Sequence, residues 1–339
     1  MLAHCTLHVA APAELFNKGG IDDHGCCIDA MTRVRQPGRA ASAASAPLTA
    51  TPPAAATAVA ASTEGREFQF SRHDFDRVRK LIYERAGISL SAAKQDMVYS
   101  RLARRLRARG LQRFSDYLDL LNQGDEAEWE AFTNALTTNL TSFFREAHHF
   151  PVLAEHASRR PGRRYDVWCC ACSTGEEPYS IAITLTEAFG RMNPPMSILA
   201  SDLDTQVLAK AAAGIYPMER LDRLDPERLR RFFLRGTGAQ AGQVRVRPEL
   251  RNSVSFQRIN LRDESWPVRG PFDAIFCRNV MIYFDKQTQA AILRRFAPLL
   301  HPDGLLFVGH SESLFHVCDV FRLRGKTVYE LVSVDARTA

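Results

Sequence analysis

Two adjacent glutamates, Glu176 and Glu177, stand at the start of a predicted helix, directly after a tight turn with the sequence STG. The turn follows residues 165–171, an apolar run with the composition of a strand that is buried on both faces. Pro178 lies in the first turn of the helix, where its missing N–H costs nothing. A strand, a glycine turn and a helix N-terminus form the usual cradle of a nucleotide-like cofactor at the carboxyl end of a parallel sheet.

The charge of these glutamates indicates which kind of cofactor would fit. Carboxylates would repel a dinucleotide pyrophosphate, and the turn lacks the three glycines of a G-x-G-x-x-G loop. They suit a positively charged cofactor such as S-adenosylmethionine, which carries a sulfonium and an ammonium against one carboxylate. The alternative is an ordinary strand–turn–helix whose acidic first turn is solvated and favoured by the helix dipole. This stretch alone leaves both interpretations open.

A third acidic residue favours the cofactor interpretation. Asp202 ends a second predicted strand at 197–202 and lies 27 residues after Gly175. That spacing fits an acid that accepts hydrogen bonds from both ribose hydroxyls of a nucleotide-like cofactor. The alternative is an ordinary surface acid of a strand–helix–strand unit.

The composition is that of a soluble globular protein. The chain has 339 residues, of which 45% are hydrophobic and 24% charged, and its formal net charge is +6. A membrane span would need a run of about 18 apolar residues, and neither such a run nor a signal peptide is found in the sequence. The eight cysteines lack the paired spacing of a zinc site, so no metal is predicted. We expect reduced thiols and a cytoplasmic protein.

The sequence pattern divides the chain into parts of different character. An Ala/Pro/Ser/Thr-rich stretch cannot bury enough apolar area to fold and predicts a disordered tail. The fold class predicted for the rest is α/β: a doubly wound, mostly parallel, Rossmann-like sheet with a small N-terminal all-helical domain and an inserted antiparallel β-subdomain. The predicted parts are a tail at 1–65, helices at 66–136, a linker at 137–150, the α/β domain at 151–333 with its insertion at about 228–257, and a tail at 334–339.

Four helices are predicted in the helical domain. Ser71 and Asp74 form a helix-start signal, and Gly87 is placed to end that first helix. The second helix, at about 92–108, carries arginines opposite its apolar side. These are Arg101, Arg104, Arg105 and Arg107. Such a face is either solvated or docks an acidic partner, and nucleic acid is the weaker option because interleaved aromatic residues are missing.

Five stretches of this sequence resemble the CheR family of chemotaxis receptor methyltransferases, which are protein-glutamate O-methyltransferases. They read TTNLTSFFREAHHF, ACSTGEEPYS, ASDLDTQVLAKA, FDAIFCRNVMIYFD and HPDGLLFVGHSES. The resemblance runs from about residue 66 to residue 333. It implies that S-adenosyl-L-methionine is the methyl donor, that S-adenosyl-L-homocysteine is a product, and that receptor glutamates become methyl esters in sensory adaptation.

The resemblance also implies the site residues. Arg145 and Tyr283 match the residues that orient the reacting groups. The positions that match cofactor contacts are Asn139, Thr141, Arg145, Glu176, Asp202, Asn260, Leu261, Arg278 and Asn279. Because a glutamate is already ionised near neutral pH, with a pKa of about 4.3, the reaction needs no strong general base. His148, His149 and His310 are therefore expected to be structural.

The partners implied by the resemblance are chemoreceptors. The arginine face resembles the helix that meets the receptor's methylation region. The insertion resembles a β-subdomain that tethers a peptide at the receptor's C-terminus, and the alternative is a structural flap. We expect a monomer with no nucleic-acid partner and no membrane insertion.

Two other functions remain open from the sequence. One is a binding module without catalysis, against which Arg145, Asp202, Asn279 and Tyr283 speak together. The other is a methyltransferase of nucleic acid or of small molecules. The Asn/Asp-Pro-Pro-Tyr/Phe signature of many base methylases is missing, because the corresponding strand end reads RNVM at 278–281.

Overall fold

The computed structural model describes residues 66–332. The tails predicted at 1–65 and 334–339 lie outside these residues. No helix in the described part is long and apolar enough to cross a membrane.

The N-terminal domain consists of four helices around an apolar core. They are α1 (Arg72–Ala86), α2 (Gln95–Arg109), α3 (Phe114–Leu121) and α4 (Glu126–Leu136). The predicted start of α1 is confirmed, because the Ser71 hydroxyl accepts the N–H of Asp74 and the Asp74 carboxylate accepts the N–H of Ser71. Gly87 ends the helix in the left-handed conformation, with a φ of 72°. A short 3₁₀ turn, Ala92–Lys94, precedes α2.

A buried carboxylate holds two arginines of α2 inside this domain. Glu128 on α4 is fully buried, and Tyr117 donates its hydroxyl to it at 2.7 Å. Arg105 donates to Glu128 at 2.9 and 2.6 Å, and Arg109 donates at 2.6 Å. Because a buried charge without partners is costly, these bonds fix the two arginines to the helical core.

The second part of the chain alternates strands and helices. Its strands are β1 (Tyr165–Cys170), β2 (Met196–Asp202), β3 (Ile215–Pro217), β4 (Phe233–Arg235), β5 (Gln243–Val246), β6 (Val254–Arg258), β7 (Phe272–Cys277), β8 (Leu300–Val308), β9 (Phe321–Gly325) and β10 (Val328–Leu331). Its helices are α5 (His149–Ser158), α6 (Glu176–Ala188), α7 (Thr205–Ala213), α8 (Pro226–Phe232), α9 (Pro248–Arg251) and α10 (Lys286–Phe296).

Seven strands form one mostly parallel sheet. The order is β6-β2-β1-β7-β8-β10-β9. The first five strands are parallel to one another, β10 is antiparallel to β8, and β9 is antiparallel to β10. Val167 and Cys169 of β1 pack into the core on one face, and Trp168 and Cys170 pack into the core on the other. Burial on both faces explains why this strand reads as a continuous apolar run. The predicted doubly wound fold is confirmed.

The inserted subdomain differs from the prediction. A three-stranded antiparallel sheet has the order β3-β5-β4. The expectation that residues 254–257 belong to it was wrong, because β6 pairs in parallel with β2 at the edge of the large sheet. Apolar and polar residues alternate in an edge strand of either sheet, so the pattern alone could not assign it. The four-residue helix α9, which separates β5 from β6, was too short to be predicted.

Candidate functional site

A cavity of about 360 Å³ lies where β1, β2 and β7 end, next to the helical domain. This is the edge of a parallel sheet where ligands usually bind. Of the ten predicted site residues, nine lie at its wall, and one does not. The predicted residues that line the cavity are Asn139, Thr141, Arg145, Asp202, Asn260, Leu261, Arg278, Asn279 and Tyr283.

The exception is Glu176, whose place at the cavity is taken by Glu177. Glu177 lines the cavity, whereas Glu176 is buried, accepts the Thr174 hydroxyl at 2.6 Å and lies 3.7 Å from Arg220. Successive helical residues point about 100° apart, so only one of two adjacent glutamates can face the cavity. The sequence showed the pair of acids but could not show which one faces inward.

The turn between β1 and α6 has an unusual backbone. Ala171, Ser173 and Gly175 all have positive φ angles, of 54°, 50° and 97°. A side chain at Gly175 would also be blocked, because a Cβ atom there would lie 2.8 Å from Ala211 Cβ and from the Tyr216 hydroxyl. This conformation lets the Ser173 N–H donate to Asp202 at 2.8 Å.

Asp202 ends β2 with a buried carboxylate at the cavity wall. Its two oxygens accept the N–H groups of Ser173, at 2.8 Å, and Asp204, at 3.0 Å. Burial raises the pKa of Asp202 to about 6. Each oxygen can accept a further hydrogen bond, so the side chain is suited to a ligand that offers two hydroxyl groups.

Arg278 is a buried cation that connects three parts of the site. Its guanidinium forms ion pairs with Glu177 and, at 3.3 Å, with Glu146. It also donates to the Arg145 carbonyl at 2.6 Å. The carboxyl end of β7, the start of α6 and the linker are therefore held together by one side chain.

Sequence reasoning missed Glu312, which supports Asn279. The buried Glu312 carboxylate accepts the N–H groups of Asn279, at 2.7 Å, and Gly309, at 2.6 Å. A Cβ atom at Gly309 would lie 2.3 Å from the Asn279 amide nitrogen, so the glycine makes room for Asn279. The stretch HPDGLLFVGHSES contains both residues, but their contacts with Asn279 could not be read from it.

The two predicted catalytic side chains lie at the cavity with different restraints. Arg145 is half-buried and donates to the Leu140 carbonyl at 2.9 Å. Tyr283 is half-buried in the 3₁₀ turn Met281–Tyr283, and its carbonyl accepts the N–H of Ser89 at 2.9 Å. Within residues 66–332, its hydroxyl makes no hydrogen bond, so it is available to a substrate.

The helical domain forms one wall of the cavity. Ser89, Lys94 and Met97 line it from that side. Asn260 uses its side-chain amide to donate to the Arg85 carbonyl at 3.0 Å, and its side-chain oxygen accepts the N–H of Arg262 at 3.1 Å. Asn260 therefore links the two domains as well as lining the cavity.

The groups around the cavity are suited to binding and orientation. No histidine or cysteine is among the described residues that line it. Burial raises the pKa of the nearby Cys169, Cys170 and Cys172 thiols well above the usual value, so thiolate nucleophiles are not formed there. The charged and phenolic groups of the described residues at the cavity are two carboxylates, two guanidinium groups, one ammonium group and one phenol.

Comparisons with known proteins agree with this arrangement. The family described as "CheR methyltransferase, SAM binding domain" matches residues 139–330, and the one described as "CheR methyltransferase, all-alpha domain" matches residues 73–137. The chain is 61% identical to a chemotaxis protein methyltransferase of Salmonella typhimurium, over 76% of this chain and 89% of that protein. It is 59% identical to the one of Escherichia coli, over 76% of this chain and 90% of that protein. It is 53% identical to chemotaxis protein methyltransferase 2 of Pseudomonas aeruginosa, over 78% and 95%.

These matches cover both the helical domain and the cavity-bearing domain. The residues at the cavity fit S-adenosylmethionine, because Asp202 can accept two hydroxyl groups and Glu177 places a negative charge beside a positively charged ligand. S-adenosylmethionine is the methyl donor and S-adenosylhomocysteine the product. The chain belongs to the CheR family of chemotaxis methyltransferases.

Proposed function

We propose that this protein methylates glutamate side chains in the cytoplasmic domains of chemoreceptors, and so acts in sensory adaptation. The observation that carries the proposal is the pair Arg145 and Tyr283 at the cavity, with a guanidinium and an unbonded hydroxyl and without a histidine among the described lining residues. A carboxylate substrate needs such orienting groups, and it needs no base because it is already ionised.

Eight of the residues that line the cavity have a proposed role in holding the donor. Asp202 accepts the ribose hydroxyls, and Glu177, in place of Glu176, faces the positively charged end. Arg278 keeps Glu177 in position through their ion pair. The remaining contacts are assigned to Asn139, Thr141, Asn260, Leu261 and Asn279.

The chemistry is a direct displacement. When bound, S-adenosylmethionine would supply its methyl group: a receptor glutamate oxygen would form a bond to the methyl carbon as the carbon–sulfur bond breaks, which would give a neutral methyl ester and S-adenosylhomocysteine. Arg145 holds the attacking carboxylate by a charge-assisted hydrogen bond, and the Tyr283 hydroxyl fixes its angle. Arg145 orients more than it activates, because a strong grip on the carboxylate would also stabilise the ground state.

The direct test is transfer of a labelled methyl group from S-adenosylmethionine to purified receptor cytoplasmic fragments. Label should appear on the receptor and be released by mild base, as expected for esters. The same assay on fragments with and without their C-terminal tails tests the peptide tether proposed for the β3-β5-β4 sheet. Failure to label any receptor, although S-adenosylhomocysteine binds, would reject the enzyme in favour of a binding module.

Loss of the Tyr283 hydroxyl should slow the chemistry without weakening cofactor binding. In Tyr283→Phe we expect kcat for receptor methylation to fall by up to about 100-fold, because the carboxylate is less well aligned. Calorimetry should give an S-adenosylhomocysteine affinity within about twofold of the unchanged chain. Tyr83→Phe is the matched control, since that hydroxyl bonds Asp285 away from the cavity. Equal losses of kcat in both variants would contradict the proposed role.

Fewer arginines of α2 are free to dock a receptor than the sequence predicted. Arg105 is bonded to Glu128, Arg107 to Glu67, and Arg101 donates to the carbonyls of Leu136 and Thr137. Arg104 is exposed and forms no hydrogen bond or ion pair with the described residues. We therefore propose Arg104, with the exposed Lys94 at the cavity, as the main docking cations.

Charge reversal should separate these two kinds of arginine. Arg104→Glu should raise the receptor KM several-fold, increasingly so at low salt, and leave S-adenosylhomocysteine affinity unchanged. Arg105→Glu should instead lower the free energy of unfolding, by about 3–5 kcal/mol, because it places a second carboxylate beside buried Glu128. Urea unfolding and receptor kinetics measure the two effects, and an unchanged KM in Arg104→Glu would remove Arg104 from the docking surface.

Cofactor affinity should decrease in mild acid. Since burial raises the pKa of Asp202 to about 6, the carboxylate takes up a proton as the pH falls from 8 to 5 and loses acceptors for the ribose hydroxyls. If only the ionised form binds well, S-adenosylhomocysteine affinity should fall by about tenfold. The unliganded fold gains from this protonation, because the raised pKa means that folding favours the neutral form. Calorimetry at each pH checks the dependence, which should disappear in Asp202→Asn.

A further inference from the structure

His149, the first residue of α5, has a fully buried side chain beside the β9–β10 turn. Its Nε2 lies 3.0 Å from the Thr327 hydroxyl oxygen and 3.3 Å from the Lys326 carbonyl oxygen. The Thr327 hydroxyl donates its own hydrogen to that carbonyl at 2.6 Å. Both oxygens therefore face Nε2 as acceptors, and Nε2 must carry the hydrogen.

The other ring nitrogen of His149, Nδ1, has a lone pair that receives no hydrogen bond from the described residues. In a buried neutral imidazole whose hydrogen is on Nε2, Nδ1 presents its lone pair. Nδ1 is buried and makes no hydrogen bond to the described residues. Buried polar atoms are normally satisfied, so this nitrogen calls for a partner.

Nδ1 of His149 faces a carboxylate, which has no hydrogen to offer. Glu146 Oε2 lies 4.0 Å from it. Glu146 is paired with Arg278 at 3.3 Å and with His310 at 2.9 Å, and these partners favour its ionised form. A lone pair and an ionised oxygen face each other, and a cation between them would satisfy both.

A third potential ligand lies at the same place. His148 is half-buried, and one ligand atom from each of Glu146, His148 and His149 lies within 4.8 Å of the others. Two imidazoles and one carboxylate form a common Zn²⁺ ligand set, in which water takes the fourth position. The bond from Nε2–H to a backbone carbonyl is the usual outer contact of a metal-binding histidine.

We propose that Glu146, His148 and His149 bind one Zn²⁺ ion, and that the bound ion weakens the cofactor site. The proposal revises the sequence-based expectation that both histidines are structural and that the chain has no metal site. The proposal concerns the cofactor cavity and does not depend on a receptor being the substrate. Its failure can therefore be distinguished from a failure of the proposed function.

The charges around the site allow a cation and explain its effect. Arg278 lies 3.3 Å from Glu146 Oε2, but it is also paired with Glu177, so one positive charge faces two negative charges. The His310 ring holds the other oxygen, Oε1, at 2.9 Å. An ion on Oε2 would draw Glu146 away from Arg278, which lines the cavity and holds the Arg145 carbonyl.

The binding test uses the purified full-length chain. Zn²⁺ is titrated in competition with a chromophoric chelator, and Co²⁺ serves as a spectroscopic substitute whose visible absorption reports tetrahedral nitrogen and oxygen ligands. Histidines and cysteines at 1–65 can also bind metal, so the result is the difference between variants. We expect His148→Ala and His149→Gln each to lose one equivalent of ion, with an affinity loss greater than the about 10–100-fold that outer-shell changes cause.

The control and the functional readout complete the test. His73→Ala removes an exposed histidine of α1 and should bind Zn²⁺ like the unchanged chain. Saturating Zn²⁺ should weaken S-adenosylhomocysteine binding several-fold in the unchanged chain and in His73→Ala, but not in His148→Ala. Identical Zn²⁺ binding and Co²⁺ spectra in all four proteins would overturn the site and leave a bound water as the partner of Nδ1. If saturating Zn²⁺ binds to the unchanged chain but does not weaken S-adenosylhomocysteine binding, the coupling is overturned.

Discussion

Arg278→Met should lower the free energy of unfolding by about 3–5 kcal/mol, the loss expected when one partner of a buried ion pair is removed. The methionine keeps the apolar stem but leaves Glu177 and Glu146 facing each other without the cation between them. It also removes the donor to the Arg145 carbonyl, so we expect S-adenosylhomocysteine affinity to fall as well. Urea unfolding followed by circular dichroism measures the first effect, and calorimetry the second.

A matched arginine shows whether burial is the cause. Arg159 directly follows α5 and pairs with Glu155, four residues earlier, and both side chains are largely exposed. Arg159→Met should cost less than about 0.5 kcal/mol, as expected of an exposed pair of this spacing. If the two arginine variants are equally stable, Arg278 does not connect the parts of the site in the way described.

Asp202→Ala should reduce S-adenosylhomocysteine affinity by at least about 100-fold. A hydrogen bond to a charged group contributes about 1.5–3 kcal/mol, and the carboxylate is positioned to accept two of them from the ribose. It also accepts the Ser173 N–H, so the turn that carries Glu177 should loosen. Calorimetric titration measures the loss.

Two checks separate cofactor binding from folding. Asp166→Ala changes an aspartate near the other end of β1, away from the cavity, and should leave the affinity unchanged. Thermal unfolding of both variants shows whether either has lost its structure. A well-folded Asp202→Ala chain that binds S-adenosylhomocysteine normally would reject the ribose role.

Much of the fold could be predicted because its signals are local. Ser71 and Gly87 flank α1 and Asp202 ends β2, as the sequence pattern predicted, since caps, breakers and apolar runs mark these ends. Strands β3 and β9 were missed because three to five residues at a sheet edge carry little pattern. The assignment of β6 to the inserted subdomain was wrong because the sequence of one strand does not show which distant strand it pairs with.

The sequence predicted most of the residues that form the candidate site, but not the contacts that these residues make. The motif residues reach one cavity because they lie at strand ends and helix starts, where a parallel sheet brings them together. Which of Glu176 and Glu177 faces inward depends on the rotation of α6 around its axis. The bonds of Glu312, and the pairing of Arg105 with buried Glu128, depend on tertiary distances that a wheel drawing of one helix does not contain.

The Ser89 N–H donates to the Tyr283 carbonyl, and the Asn260 side chain donates to the Arg85 carbonyl. These two bonds tie the turn that carries Tyr283 and the cavity residue Asn260 to the helical domain. Exchanging the helical domain for another would therefore also affect the candidate site. The exchanged half would have to bring a loop of the same shape, or the turn that presents the tyrosine would lose its support. At this contact the two domains cannot vary independently of each other.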